Sequence, residues 1–215
     1  MSPQRPGSRL VFVRHGQTDY NIGGRVQGQI DIALNDVGRK QAEVMGPYVA
    51  QFEPTLIVSS DLSRAWDTAS EIARHTSCDL VSDERIRERA FGQLEGLSFD
   101  ELTRDFAEEY RVWKKTGECP QAGVESRAAV GERFVAAIAE RVSHETGTYV
   151  FVSHGSAIVQ AITHLLGLEP SAWNGFRGPN NCHWSVVDQA NRPPYWRVIA
   201  HNLGVGGIDE GASRG

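Results

Sequence analysis

Two histidines, two arginines and a set of glutamates are spaced along this chain so that each stands just beyond a short apolar run. The stretch "RLVFVRHGQTDYN" carries Leu10–Val13 straight into Arg14 and His15. "TLIVSSDLSRA" does the same for Ser60 and Arg64, and "TYVFVSHGSA" for His154. After a fourth short run, "DLVS", the segment "DERIRERAFGQLEG" offers Glu84, Glu88 and Glu95 as carboxylates. The set suits phosphoryl transfer without a metal. A transferring phosphoryl group spreads negative charge over its equatorial oxygens, so its catalysis is mostly positioning and electrostatic stabilisation. Arginine forks bind phosphate oxygens in pairs and keep their charge. A neutral imidazole can carry the phosphoryl group covalently. A carboxyl group can protonate the leaving alkoxide and then activate water.

Such residues must be held by elements, and the sequence supplies them in alternation. Leu10–Val13, Thr55–Ser60, Asp79–Ser82 and Thr148–Ser153 read as buried or short strands, and "HWSVVD" and "YWRVIAH" as a final pair joined by a turn at 191–194. Asn35 is an N-cap for a helix over 36–51, with Pro47 predicting a kink or break inside it. Asp61 is expected to cap a helix running to His75. Ser98 and Glu101 form a capping-box pattern, and long helices are expected over 125–144 and 155–166. Residues 103–121 lack clear periodicity and read as a cap or long loop, with Trp113, Lys114 and Lys115 as candidate substrate-facing or solvated residues. Alternating strands and helices imply an α/β three-layer sandwich, a mixed and mainly parallel sheet between helices. In such sheets, working residues sit beyond the carboxyl ends of the strands. Gly16 and Gly155 are expected to let backbone approach a ligand, and the helix after His154 to aim its N-terminus at an anion.

Composition sets the boundaries. The 215 residues suit a single domain, 9–203, with a small cap around 97–124 and flexible ends at 1–8 and 204–215. A net charge of −5 argues against nucleic acid and anionic membranes as partners, though not against a small phosphorylated substrate. No run approaches the roughly 20 apolar residues of a membrane span, and the N-terminus lacks a signal-peptide h-region. Cys78, Cys119 and Cys182 are widely spaced, with no C-x-x-C pair, which fits a reduced, cytoplasmic protein. The other histidines (His75, His144, His164, His183, His201) show no metal spacing, so neither metal nor other cofactor is expected. The chain has no G-x-x-x-x-G-K-[ST] loop and no G-x-S-x-G elbow.

Taken together, the motifs resemble a known family. "VRHGQTDYN" is similar to the R-H-G-[ET]-x-x-x-N signature of the histidine phosphatase (phosphoglycerate mutase-like) superfamily. "VQGQIDIALNDVGRKQA", "IVSSDLSRAWDTA", "IRERAFGQLEG" and "VFVSHGSAI" follow in the family's order. The resemblance implies that His15 is the phosphorylated nucleophile and that Arg14, Arg64 and His154 bind the phosphoryl group. It implies Glu88 as proton donor, with Asn21 and Gln27 lining the substrate pocket. It also implies a homodimer, since members often dimerise. The activity implied is hydrolysis of a small phosphomonoester. The first three motifs look especially like those of actinobacterial phosphatases acting on glucosyl-3-phosphoglycerate, but "ERAFGQLEG" lacks the aromatic of their acid loop. A cofactor-dependent mutase is the alternative, because Glu88-Arg89 before "AFG" resembles the mutases' E-R-x-Y-G. A non-catalytic phospholigand-binding protein on the same fold is the third reading.

Overall fold

A computed structural model describes residues 7–142 and 146–206. Most of the two ends expected to fray, and His144, lie outside the described residues. Where the chain becomes described, Ser8 already joins the body: its N–H donates to Gln189 Oε1 and its carbonyl accepts from Gln189 N.

Among the described residues, six strands form one sheet in the order β3-β2-β4-β1-β5-β6. They are β1 (Arg9–Arg14), β2 (Leu56–Ser59), β3 (Asp79–Ser82), β4 (Thr148–Ser153), β5 (Trp184–Gln189) and β6 (Trp196–Leu203). The first four run parallel, and β5 and β6 are added antiparallel at one edge. Alternate side chains of the central strands feed two cores. Leu10, Phe12, Tyr149 and Phe151 pack against α6 (Arg127–Arg141) and α7 (Gly155–Leu165). Val11, Val13, Val150 and Val152 pack against α2 (Asp36–Ala50) and α3 (Ser63–Ala73). This is the expected three-layer sandwich, with β1 and β4 apolar on both faces because helices cover both.

The cap carries a third, smaller core. Leu94, Leu102, Cys119, Ala122 and Val124 are buried under α4 (Phe99–Asp105) and α5 (Ala107–Thr116). The Ser98–Glu101 capping box forms as expected. The stretch read as a cap or long loop belongs to this cap and is helical from Ala107 to Thr116, because Tyr110 and Trp113, three residues apart, pack on the small core while the other side faces water.

Pro47 does not break α2, which continues through it to Ala50. One local expectation fails for a physical reason. Asp61 does not cap α3. It pairs with Arg87, and Asp31 from a distant loop supplies the cap by accepting from Ser63 N (2.8 Å) and Ser63 Oγ (2.7 Å). A cap supplied from 32 residues away leaves no local sequence signal.

Candidate active site

The loop leaving β1 is pinned from several sides. Gly16 N donates to Thr68 Oγ1 (3.1 Å), and Gln17 N donates to Gln41 Oε1 (2.9 Å). A Cβ on Gly16 would stand 2.5 Å from Gly38 O, and one on Gly38 would stand 2.0 Å from Gln17 O. Both glycines therefore serve a close approach between this loop and α2. His15 is 3% exposed. Its Nδ1 lies 2.7 Å from Gly16 O. A carbonyl only accepts, so Nδ1 carries the proton and Nε2 keeps its lone pair. Burial, then the nearby Arg64 and Arg14 charges, push its pKa well below the ordinary histidine value. The ring is thus neutral and a competent nucleophile.

The expected cations stand beside it. Arg14 donates from Nη1 to Pro179 O (2.8 Å), while among the described residues its Nε is buried without a hydrogen-bond partner. Such an orphaned donor is costly unless a ligand oxygen meets it. Arg64 is fully buried and donates to Gly28 O and Ile30 O (2.8 Å each). Burial lowers its pKa to about 10, so it stays a cation at neutral pH. Its Nε donates to His154 Nδ1 (3.2 Å), which makes Nε2 the protonated nitrogen of His154, donating to Ser60 Oγ (2.9 Å). The His154 pKa falls well below its ordinary value through burial, then Arg64. The structure places His154 behind Arg64, its ring 5.1 Å from that of His15. In this arrangement it orients the guanidinium.

Among the three carboxylates the structure separates roles. Glu88 faces the cavity beside Arg14. Its Oε1 accepts from Arg89 N (2.8 Å) and Ala157 N (2.9 Å), and its Oε2 from Ser156 N (3.1 Å). The N-terminus of α7, expected to face an external anion, therefore holds this side chain. Glu95 ties two loops by accepting from Phe91 N and Gln29 N, and fits beneath Gly28, which sits at φ +54°. Glu84 lies exposed in a turn of 3-10 helix. The segment bearing Glu88 is clamped by Arg133, which donates to the carbonyls of Arg85, Arg87 and Glu88 and pairs with Glu125. Arg133 gave no sign in the sequence, where it is one cation on an ordinary helix.

Asn21 and Gln27 both line the cavity. Thr18 Oγ1 donates to Gln27 Oε1 (3.0 Å), and Asn21 Oδ1 accepts from Thr18 N (3.0 Å) and Asn181 Nδ2 (3.2 Å). Asn181 also donates to the carbonyls of His15 and Gly16. It is a positioning residue that the sequence reading missed, since its bonds reach back to a loop more than 160 residues away and leave no local signature.

The cavity has two lobes. One, about 250 Å³, runs from His15, Arg14 and Arg64 out to Tyr20, Phe91, Phe99 and Trp113. The other, about 550 Å³, opens between α6, α7 and the 174–180 loop. Arg14, Glu88 and Trp113 belong to both. Trp113 packs against Phe91 (5.3 Å between centroids) and Tyr110, whereas Lys114 and Lys115 are exposed and line neither lobe. Among the described residues, no three histidine, cysteine, aspartate or glutamate side chains form a metal-binding group. No described helix is long and apolar enough to cross a membrane.

Comparison with known proteins adds to this geometry. The family model described as histidine phosphatase superfamily (branch 1) matches residues 10–202. A glucosyl-3-phosphoglycerate phosphatase of Mycobacterium tuberculosis is 36% identical over 188 residues, 83% of this chain and 84% of the relative. A probable phosphoglycerate mutase GpmB of Proteus mirabilis is 34% identical over 193 residues, 86% of each. Among solved structures, mycobacterial glucosyl-3-phosphoglycerate phosphatase complexed with VO3 superposes with a TM-score of 0.82 at 34% identity. That match covers 92% of this chain and all of the other.

Proposed function

The chain belongs to the histidine phosphatase superfamily, branch 1, and from that premise we propose that it hydrolyses a small phosphomonoester through a phosphohistidine on His15. The observation that carries the reading is the His15 ring itself. It is neutral, buried and fixed in one tautomer, with Nε2 free for attack beside two guanidinium groups.

His15 Nε2 attacks phosphorus in line and the P–O ester bond breaks, the electron pair going to the alkoxide. Glu88, in its protonated form, gives that oxygen its proton. Arg14 and Arg64 neutralise charge on the equatorial oxygens. Water then loses a proton to the Glu88 carboxylate and attacks the phosphohistidine, releasing inorganic phosphate and neutral His15. His154 keeps Arg64 aimed, and Asn21 and Gln27 supply amide contacts.

Relatives named for glucosyl-3-phosphoglycerate make that ester, or another sugar or glycerate phosphate, the first substrate to try. The aromatic lobe supports a sugar ring, since flat apolar faces such as Trp113 and Phe91 suit its C–H side. We also read the protein as cytoplasmic and, by family likeness, homodimeric. The mutase reading has its own support in the GpmB relatives. Product analysis separates the two. Wild type should release inorganic phosphate from the ester, with 32P trapped on His15 after acid-free quenching. Isomerised phosphoglycerate with little free phosphate would make the protein a mutase, and labelling that persists in His15→Ala would remove the nucleophile assignment.

A further inference from the structure

Arg64 is gripped by neutral acceptors. Its Nη2 donates to Gly28 O and its Nη1 to Ile30 O (2.8 Å each), and its Nε to His154 Nδ1 (3.2 Å). Three of its five guanidinium N–H groups are thereby occupied, which leaves two for phosphoryl oxygens. Among the described residues no carboxylate pairs with Arg64 directly. The charges of Glu88, Asp31 and Glu95 act on it from a distance. A planar fork follows the acceptors it holds, so the aim of the two remaining N–H groups depends on whatever fixes Gly28 and Ile30.

Three side chains fix that loop. Asp31 accepts from Ser63 N and Oγ at the start of α3, the helix that carries Arg64. Gln29 Nε2 donates to Glu88 O (3.0 Å). Glu95 Oε1 accepts from Gln29 N (3.1 Å), and the same oxygen accepts from Phe91 N (2.8 Å). Gly28 lies directly on this carboxylate. It sits at φ +54°, and a Cβ there would stand 2.1 Å from Glu95 Oε1. Glu95 therefore packs on the residue whose carbonyl holds Nη2 and bonds the next peptide along. It lines neither lobe of the cavity. Its second bond reaches Phe91, in the wall of the aromatic lobe.

We propose that Glu95 is a positioning residue for phosphoryl transfer: by holding Gln29 N and packing on Gly28 it fixes the carbonyls that aim Arg64, and through Phe91 N it anchors the mouth to the same point. This rests on the phosphomonoesterase reading above and adds a residue outside the cavity on which the cation's geometry depends. The acceptor oxygen matters here rather than the charge. A glutamine oxygen has two lone pairs and can accept from both peptides.

The test sets Glu95→Ala against Glu95→Gln, reading kcat/KM for para-nitrophenyl phosphate and for glycerol 3-phosphate. Ala should lower both by the same factor, about 10–100-fold, the scale of a misplacement of up to one ångström. The factor is shared because Arg64 serves the phosphoryl group whichever alcohol leaves. Gln should restore both esters to within about threefold of wild type. In an Arg64→Lys background the charge stays but the fork is gone, so adding Glu95→Ala should lower the rate less than about threefold further. Glu84→Gln, on an exposed carboxylate of the same segment, should change nothing. Should Glu95→Ala lose its fold, Gly28→Ala disturbs the same contact from the loop side and should give the same pattern. A full loss in the Arg64→Lys protein, or a Gln variant as slow as Ala, overturns the assignment. So does a larger loss with the alkyl ester, which would place the action on Glu88 through Gln29. If wild type releases phosphate from neither ester, the hydrolase reading fails instead. Calorimetry with inorganic phosphate then decides on Glu95: a dissociation constant raised by Ala and restored by Gln supports its role, and one unchanged by Ala overturns it.

Discussion

His15 and Trp113 line the same cavity, yet they are held in opposite ways. His15 stands at the end of the central strand β1, with its ring proton fixed by Gly16 O, its following glycine pressed against α2 and its carbonyl held by Asn181. Trp113 stands on α5 of the cap, partly exposed, touching Phe91 and Tyr110 above a small separate core. The floor is rigid because in-line attack tolerates little error, about 100-fold in rate for one misplaced ångström. The mouth needs only a surface of the right shape and polarity. Chemistry and choice of substrate are thus carried by different layers of the molecule, so changes in each should give different kinetic signatures.

The largest effect is expected on the floor. His15→Ala should lower kcat by roughly 10⁴-fold or more and abolish phosphoenzyme, because no other group replaces a covalent nucleophile. Rapid-quench assays with labelled ester would check both. Residual turnover within tenfold of wild type would mean that the floor is not where bond-making occurs. Glu88→Gln comes next. With an alkyl ester the loss should be about 10²–10⁴-fold. With para-nitrophenyl phosphate it should be much smaller in the phosphorylation step, because that phenolate leaves without a proton. A loss independent of the leaving group would assign Glu88 to structure, through its bonds to the N-terminus of α7.

The floor was also the part legible in the sequence. Arg14, His15, Arg64 and His154 each follow a strand run within a few residues, so local patterning and topology together predict their convergence. What was illegible depends on long-range closure. Asp31 caps α3 from another loop, Arg133 clamps the Glu88 segment from α6, and Asn181 reaches back to His15 across 166 residues. None of these has a local signature. Spacing brings His154 to the site, but its bond with Arg64 has no signature in the sequence. The cap was least legible, because α5 presents no buried residue and its apolar side is short.

The two buried histidines also tie the floor to stability. His15 and His154 are held neutral by burial and by arginine charges, with folded pKa values well below 6.5. Below about pH 6.5 the unfolded chain takes up protons at both imidazoles and the folded chain does not, so stability falls as pH falls. Each histidine contributes a slope of up to about 1.4 kcal/mol per pH unit until its folded pKa is reached. Thermal melts from pH 7.5 to 5.5 should show this decline. Replacing both histidines with Gln should flatten it. Inorganic phosphate should lessen it, because a bound anion favours the protonated rings. A slope that both substitutions leave unchanged would place the acid sensitivity elsewhere.

The smallest effects are expected at the mouth, where they sharpen the comparison most. Trp113→Leu keeps an apolar side chain under the cap but removes the flat face shared by the two lobes. For an ester with a sugar arm, KM should rise about tenfold, the scale of one aromatic contact, with kcat within a few-fold. Small esters that never reach the cap should show little change. Lys114→Ala and Lys115→Ala, one residue and two residues further along the same helix, should do almost nothing to either ester. Both side chains point into water, and Lys114 lies over the Tyr110 ring at 5.9 Å rather than in a lobe. Should Trp113→Leu instead lower kcat equally for every ester, the cap would be holding Glu88 or Arg14 in place through the lobes they share. Mouth and floor would then be a single mechanical unit.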